Sequence, residues 1–325
     1  MSHAEEIRIG VSACLLGEKV RYDGRHKKHD YVVNTLSRFF TWVPVCPEVE
    51  IGLGVPREPV QLLGKPERPR FVATRTGADH TEFIYRYARL KAEELAGLDL
   101  CGFILKKDSP SCGMERVPVY DENGEVRREG AGVFARALMQ RLPLLPVEEE
   151  GRLEDPRRQE HFIVRVFSYN RWQKLAAEFS VEKLSEFHAR HKLLLMAHSR
   201  AHLRELDQLL VAARAYPLGE LRSRYAAAFF QGLRRRAARR GHVAVLRRLA
   251  TFCKPLLSPL DEAELLTAIE DYRKGSSPRS RPLSLIRDYA AKLGLSSVQE
   301  QVYVNPHPKE LSLLNHVHRL CEKSN

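Results

Sequence analysis

The sequence predicts an α/β protein, with an N-terminal parallel-sheet, Rossmann-like domain over residues 1–150 and a C-terminal all-α helical domain over 151–325. Three observations carry this. Through the first half, strand-like runs alternate with helical patterns and are apolar enough to be buried on both faces, as parallel strands covered by helices are. In the second half apolar residues recur only at helical spacing. Charge divides at the same place: residues 1–150 carry 22 Lys and Arg against 23 Asp and Glu, whereas 151–325 carry 31 against 18.

Residues 7–13, Ile-Arg-Ile-Gly-Val-Ser-Ala, alternate with the period of a strand, and Leu15-Leu16-Gly17 turns out of it. Asp23-Gly24 marks a turn in a polar loop whose Arg21, Tyr22, Arg25, Lys27 and Lys28 are expected at the surface. Residues 31–40 have the pattern of an amphipathic helix, and 41–46 that of the next strand. Glycines punctuate the apolar segment 49–54, and Pro56, Pro59, Pro66 and Pro69 make 55–70 an irregular connection. A strand at 71–74, a helix at 81–95, a strand at 98–105, a helix opening at 132–138 and a short strand at 142–147 complete the domain. An acidic run with a proline at 145–155 is the junction, and helices are expected at 161–178, 180–213, 220–250, 260–273, 282–293 and 308–322.

No apolar run approaches the roughly 18 residues that span a bilayer. The start, Met-Ser-His-Ala-Glu-Glu, lacks the charged and apolar regions of a signal peptide. The expectation is a cytoplasmic protein with no membrane partner and no obligate protein partner. Six cysteines in that setting are reduced thiols rather than a disulfide framework.

Three strand-like runs each deliver a cysteine to a turn: Cys14, Cys46, and Cys112 within Lys106-Lys107-Asp108-Ser109-Pro110-Ser111-Cys112-Gly113. In parallel α/β sheets the functional loops lie past the carboxyl ends of strands. The spacing matches no zinc-finger or ferredoxin run. On spacing alone two readings stand: three small buried hydrophobes, or one shared metal or cluster site. Three thiolates leave one position open on a tetrahedral metal or a cubane cluster, which implies chemistry on a bound ligand. Beside them, Glu48 can move protons or activate water, and Ser109 and Ser111 can hold an oxygen or sulfur atom. The plainer readings are a capping carboxylate and an ordinary Ser-Pro turn. Cys101 lies inside a strand pattern and belongs to the core, while Cys253 and Cys321 are structural or incidental.

As a set, Ser12-Ala13-Cys14-Leu15-Leu16-Gly17, Cys46-Pro47-Glu48 and Ser109-Pro110-Ser111-Cys112-Gly113 resemble the TudS-type thiouracil desulfidase domain, over roughly residues 6–150. The resemblance implies a 4Fe-4S cluster held by Cys14, Cys46 and Cys112, with the fourth iron free to take a thiocarbonyl sulfur while water replaces it, in a non-redox, net hydrolytic step. It also implies Glu48 as the acid/base group, Ser109 as its hydroxyl partner, and Ser111 alongside.

In the second half, His198 and His202 stand at i and i+4 near His188 and His191, but the glutamate of a zinc peptidase is missing. Packing, capping or phosphate contact is the better account of these histidines. Arg234, Arg235, Arg236, Arg239, Arg240, Arg247 and Arg248 follow Phe229-Phe230, and no acid falls inside 221–260 to pair with them. Phosphate binding through guanidinium forks explains this better than a solvated face. Pro282-Leu283-Ser284-Leu285-Ile286, Gln301-Val302-Tyr303 and Pro306-His307-Pro308-Lys309-Glu310-Leu311 resemble the YbgA-like domain, over about 185–322. The fusion resembles the RudS-type tRNA thiouridine desulfidases. That implies tRNA as partner, a thiolated uridine, 4-thiouridine foremost, as substrate, and uridine and sulfide as products. Lys106 and Lys107 are then candidates for steering the RNA backbone. Two rivals remain: a desulfidase of free 2-thiouracil or thionucleosides, and an RNA-binding iron–sulfur redox sensor without turnover.

Overall fold

The computed structural model describes residues 6–311. Its first sheet joins β1 (Arg8–Ser12), β2 (Thr41–Val45), β5 (Gly102–Leu105) and β8 (Val147–Glu149) in the order β2-β1-β5-β8. Every neighbouring pair is parallel, with Ile9 level with Trp42 on one side and Gly102 on the other. The chain therefore leaves β1 towards one side and later returns to its other side. That reversal opens a crevice at the carboxyl ends of β1 and β5. All four residues of β5 are buried, as its Gly-Phe-Ile-Leu sequence requires. Helix α2 (Thr81–Ala96) buries Ile84, Ala88, Ala92 and Leu95, one face at helical spacing. With α3 (Val133–Arg141) it closes a core around Phe71, Phe103 and Phe134. Each such ring removed from water contributes on the order of 2 kcal/mol.

A second, mixed sheet stands where the sequence suggests a connection. Strands β3 (Val60–Leu63), β4 (Arg70–Ala73), β6 (Val117–Tyr120) and β7 (Val126–Gly130) run in the order β4-β3-β6-β7, antiparallel except between β3 and β6. The prolines of 55–70 flank β3 rather than abolish it. In β7 only Gly130 is buried, so there is no apolar period to read. The expected helix at 31–40 is instead a π turn, Tyr31–Thr35, running into a 3-10 turn, Leu36–Arg38; Val32, Val33 and Thr35 are β-branched and crowd a regular helix. The last strand lies not at 142–147 but at Val147–Glu149, among the acids. Glu148, Glu149 and Glu150 are buried because each carboxylate has a partner: Arg152, the Met114 N–H and Lys106, respectively.

The described chain forms two compact units, dividing between Asn170 and Arg171 within α4 (Pro156–Ala177). The second unit is helical: α5 (Val181–His198), α6 (Arg200–Val211), α7 (Leu218–Arg234), α8 (Arg239–Cys253), α9 (Pro259–Lys274), α10 (Ser280–Lys292) and a short α11 (Ser296–Gln299). Two expected long helices are broken. Ser199, extended and accepting from the His202 N–H, ends α5 and caps α6, and Arg235 leaves the helical region after α7. The core is aromatic, with Trp172 stacked on Tyr225 at 5.6 Å and Phe187 edge-on to Phe229 at 5.1 Å. Most of the helix expected at 308–322, and Cys321, lie outside the described residues. Among those residues no helix is long and apolar enough to cross a membrane.

Candidate functional site

Three adjacent strand ends deliver the site. After β1, a 3-10 turn, Ala13–Leu16, holds Cys14 and is closed by Gly17 at φ +100°. After β2, Cys46 caps α1 (Pro47–Glu50), and its N–H donates to Glu50 Oε1 at 3.0 Å. After β5, residues 109–113 fold into a turn in which the Gly113 N–H donates to the Ser109 carbonyl at 2.8 Å. A Cβ on Gly113 would stand 2.3 Å from Val117 Cγ2, so this turn needs glycine. The start of α3 presses on the same turn, Val133 and Ala135 N–H groups donating to the Pro110 and Ser111 carbonyls at 3.1 Å each.

Cys14 and Cys112 are buried and Cys46 is half-buried. Burial pushes all three thiols up, Cys14 to about 11, and each is raised further by charges in the same site. Cys46 acts on Cys14, and both act on Cys112, so the three lie within electrostatic reach of one another. Lys106 and Arg21 oppose the rise at Cys14, and Arg57 opposes it at Cys46. Among the described residues, no three His, Cys, Asp or Glu side chains are gathered tightly enough to hold a single metal ion. A cluster gives each thiolate its own iron and does not ask the sulfurs to meet at one point.

Beside the thiols runs a chain of hydrogen bonds. Glu48 Oε1 accepts from Ser111 Oγ at 2.8 Å. Glu48 Oε2 accepts from Arg57 Nε at 3.1 Å and Nη2 at 2.5 Å. The two side chains are only 13% and 5% exposed. Arg57 Nη1 is fixed by the Val20 and Gly54 carbonyls at 3.0 Å. With the Ser111 proton directed at Glu48, Ser109, 3.0 Å away, donates to Ser111 Oγ. Ser109 Oγ in turn accepts from the Cys112 N–H at 3.1 Å. Ser111 therefore touches the carboxylate, and Ser109 stands one bond behind it. Three buried polar atoms around this site make no hydrogen bond of acceptable geometry: Arg21 Nε, His29 Nδ1 and the Tyr87 hydroxyl. The last is enclosed with Glu50, Cys112 and Cys46 as its neighbours.

Lys106 is turned inward. Its ammonium bonds Glu150 and the Lys107 carbonyl, while the Lys107 N–H donates to Glu150 Oε2 at 2.6 Å and the Lys107 side chain is exposed. Cys101 is in the core as expected, and burial pushes its thiol up to about 12. Arg57, Tyr87 and Glu150 belong to the site without any signal in the sequence. Arg57 hides in a proline-rich stretch, Tyr87 resembles any helix aromatic, and Glu150 sits in an acidic run that reads as a junction.

In the helical unit, Arg234 ends α7, Arg235 and Arg236 lie in the following connection, and Arg239, Arg240, Arg247 and Arg248 lie on α8. Arg247 stands 3.7 Å from Glu270, Arg239 lies over Tyr272 and Arg248 over Phe252. The four histidines pack and cap: His188 bonds Tyr225 and Asp207, His191 the Phe187 carbonyl, His198 the Arg235 carbonyl and His202 Ser199. A surface cavity of about 1020 Å³ between α2 and α3 is lined by none of the cysteines, Glu48, Ser109 or Ser111.

Residues 9–150 match the family described as 2-thiouracil desulfurase. Residues 192–308 match one described as a protein of unknown function, DUF1722. The uncharacterized protein YbbK of Bacillus subtilis (strain 168) is 30% identical over 137 residues, 41% of this chain and 89% of its own length. The uncharacterized protein YbgA of Escherichia coli (strain K12) is 24% identical over 153 residues, 46% of this chain and 90% of its own. A solved structure of the [4Fe-4S]-dependent thiouracil desulfidase TudS is 33% identical, covering 46% of this chain and 94% of that chain, with a TM-score of 0.38.

Proposed function

The chain belongs to the 2-thiouracil desulfurase family through residues 9–150, and on that premise we propose that it is an iron–sulfur-dependent desulfidase that converts a thiolated uridine in tRNA, 4-thiouridine foremost, to uridine and sulfide. The observation that carries this is the juxtaposition of two buried cysteines and a half-buried one with the Glu48, Ser111 and Ser109 chain at one sheet edge. The donor set fits a 4Fe-4S cluster. Burial and nearby charges in the site raise all three thiols, so a bound cation that holds them as thiolates relieves that cost, and the Tyr87 hydroxyl lies among Glu50, Cys46 and Cys112. When bound through Cys14, Cys46 and Cys112, the cluster supplies a Lewis-acidic iron with an open position for a thiocarbonyl sulfur.

The protein's own groups supply the proton chemistry. Water adds to the thiocarbonyl carbon and loses a proton to Glu48 Oε1. The carbon–sulfur bond then breaks as the remaining hydroxyl proton is lost, and the departing sulfur receives both that proton and the one held on Glu48, so that C=S and H2O become C=O and H2S. Arg57 holds the carboxylate in place, and Ser111, backed by Ser109, orients it. Arg21 and Lys106 set positive charge beside the sulfur site.

The tRNA part of the reading is supported by the second unit, where acids are absent from 221–260 and seven arginines fall within 234–248. Arg239 and Arg240 open α8, where the helix dipole disfavours cations and favours a phosphate. Parallel assays of the anaerobically reconstituted protein on thiolated tRNA and on free 2-thiouracil separate the substrates. Turnover of tRNA at lower KM, weakening as salt rises, is expected. Turnover of the free base alone, with tRNA binding absent or indifferent to salt, gives the small molecule as substrate.

A further inference from the structure

Residues 18–28 form a basic loop of which the chemistry above uses only Arg21. It carries Lys19, Arg21, Arg25, Lys27 and Lys28 against Glu18 and Asp23, in a domain that is otherwise slightly acidic. Lys19, Arg25, Lys27 and Lys28 are exposed and make no ion pair among the described residues. The loop is not a loose surface excursion, because its backbone is fastened to the walls of the cysteine site. The Lys27 N–H donates to the Cys14 carbonyl, the His29 N–H to the Leu15 carbonyl and the Arg57 N–H to the Tyr22 carbonyl, all at 2.9 Å. The Val20 carbonyl accepts from Arg57 Nη1 at 3.0 Å and lies 3.8 Å from Cys46 Sγ. A tight turn closes it, with the Gly24 N–H donating to the Arg21 carbonyl at 2.9 Å.

Four unpaired cations are thus held on a rigid rim around the thiols. At its apex Tyr22 is 39% exposed, with the Arg21 guanidinium 5.3 Å from its ring centroid. Like charges crowded without counter-charges raise the local potential and draw in a polyanion. An exposed ring beside a guanidinium is the surface on which an unstacked base is held.

We propose that loop 18–28 is an RNA-binding lip, in which Tyr22 stacks a base neighbouring the thiolated one while Lys19, Arg25, Lys27 and Lys28 hold the flanking phosphates. The catalytic domain then selects a polynucleotide over a free base by its own contacts, not only through the arginines of the second unit. This rests on the reading that the site acts on RNA.

The test uses the full chain with tRNA containing 4-thiouridine, followed by fluorescence anisotropy across a salt series and by single-substrate kinetics. Lys27→Ala/Lys28→Ala is expected to weaken tRNA binding about tenfold and to flatten the salt slope by about 2, near 0.9 for each phosphate no longer neutralised. Tyr22→Ala is expected to weaken it by about tenfold without changing the slope. In both, the loss on tRNA appears in KM rather than kcat. Lys27→Arg/Lys28→Arg restores binding, which a folding defect would not. Unchanged affinity and slope in both variants overturn the lip, and so does an equal loss on free 2-thiouracil. A reconstituted wild-type chain that turns over neither substrate contradicts the desulfidase reading instead, and the binding series still decides the lip.

Discussion

The Ser111 hydroxyl has a single proton, and with Glu48 Oε1 at 2.8 Å that proton is committed to the carboxylate. Ser109 reaches the carboxylate only through Ser111, while its Oγ also holds the Cys112 N–H. Ser111→Ala is therefore expected to lower turnover by about 10²-fold with iron content unchanged, and Ser109→Ala to lower turnover per bound iron by clearly less. Sulfide release under anaerobic conditions measures the order, and the reverse order would contradict the hydrogen-bond directions. Arg57 is the enclosed counter-ion of Glu48. Arg57→Met leaves that charge alone and should destabilise the first unit by roughly 3 kcal/mol. Adding Glu48→Gln should return part of this, a coupling that a denaturant-based double-mutant cycle reads directly. Cys14, Cys46, Glu48 and Cys112 were legible because each sits within two residues of a turn that follows a strand. Arg57 was not, because its partnership depends on the path the chain takes back from Glu48, which no local spacing encodes.

At the scale of elements, the turn 109–113 and the first residues of α3 act as one piece. A Cβ on Gly132 would meet the Ser111 carbonyl oxygen at 2.4 Å, backbone that cannot give way without moving Ser111 and Cys112. Gly132→Ala is expected to lower both iron incorporation and turnover, measured by iron content and sulfide release. Gly219→Ala, in open space at the start of α7, is expected to alter neither. In α5, burial pulls the His191 imidazole down to about 3, the nearby Arg171, His188 and Arg190 adding to the effect against the Phe187 carbonyl. The unfolded chain takes up that proton near pH 6.5 and the folded one refuses it until about 3, so stability falls as pH drops through this window, by about 1.4 kcal/mol per unit. Urea unfolding at several pH values should show the slope, and His191→Phe should reduce it, leaving the contributions of His188 and His29, whose imidazoles are also lowered by burial. The strands of the first sheet were legible because they are buried on both faces. Those of the second are short and one-sided, and β7 has a single buried residue. The breaks at Ser199 and Arg235 interrupt apolar periods that run on across them in the sequence.

For the whole molecule, charge and periodicity together marked the passage from sheet to helices near residue 150, whereas the compact units divide at Asn170 and Arg171. A helix that begins in one unit and ends in the other has one continuous apolar period, and Phe167, 5.9 Å from the Phe40 ring, belongs to the first core. The basicity of the second half leads to a further expectation. Arg235→Gln/Arg240→Gln should weaken tRNA binding most at low salt and reduce the salt slope by about 0.9 for each phosphate left without its arginine, with free 2-thiouracil as the substrate on which no such salt dependence is seen. The central claim is that three cysteines and Glu48 form a site that removes sulfur from RNA catalytically. It is tested most directly by counting sulfide from the anaerobically reconstituted chain on tRNA rich in 4-thiouridine. The prediction is sulfide released one for one with thiouridine lost, far beyond the cluster's own content, and abolished by Cys112→Ala. Sulfide that never exceeds that content, or turnover that survives Cys112→Ala, would contradict it.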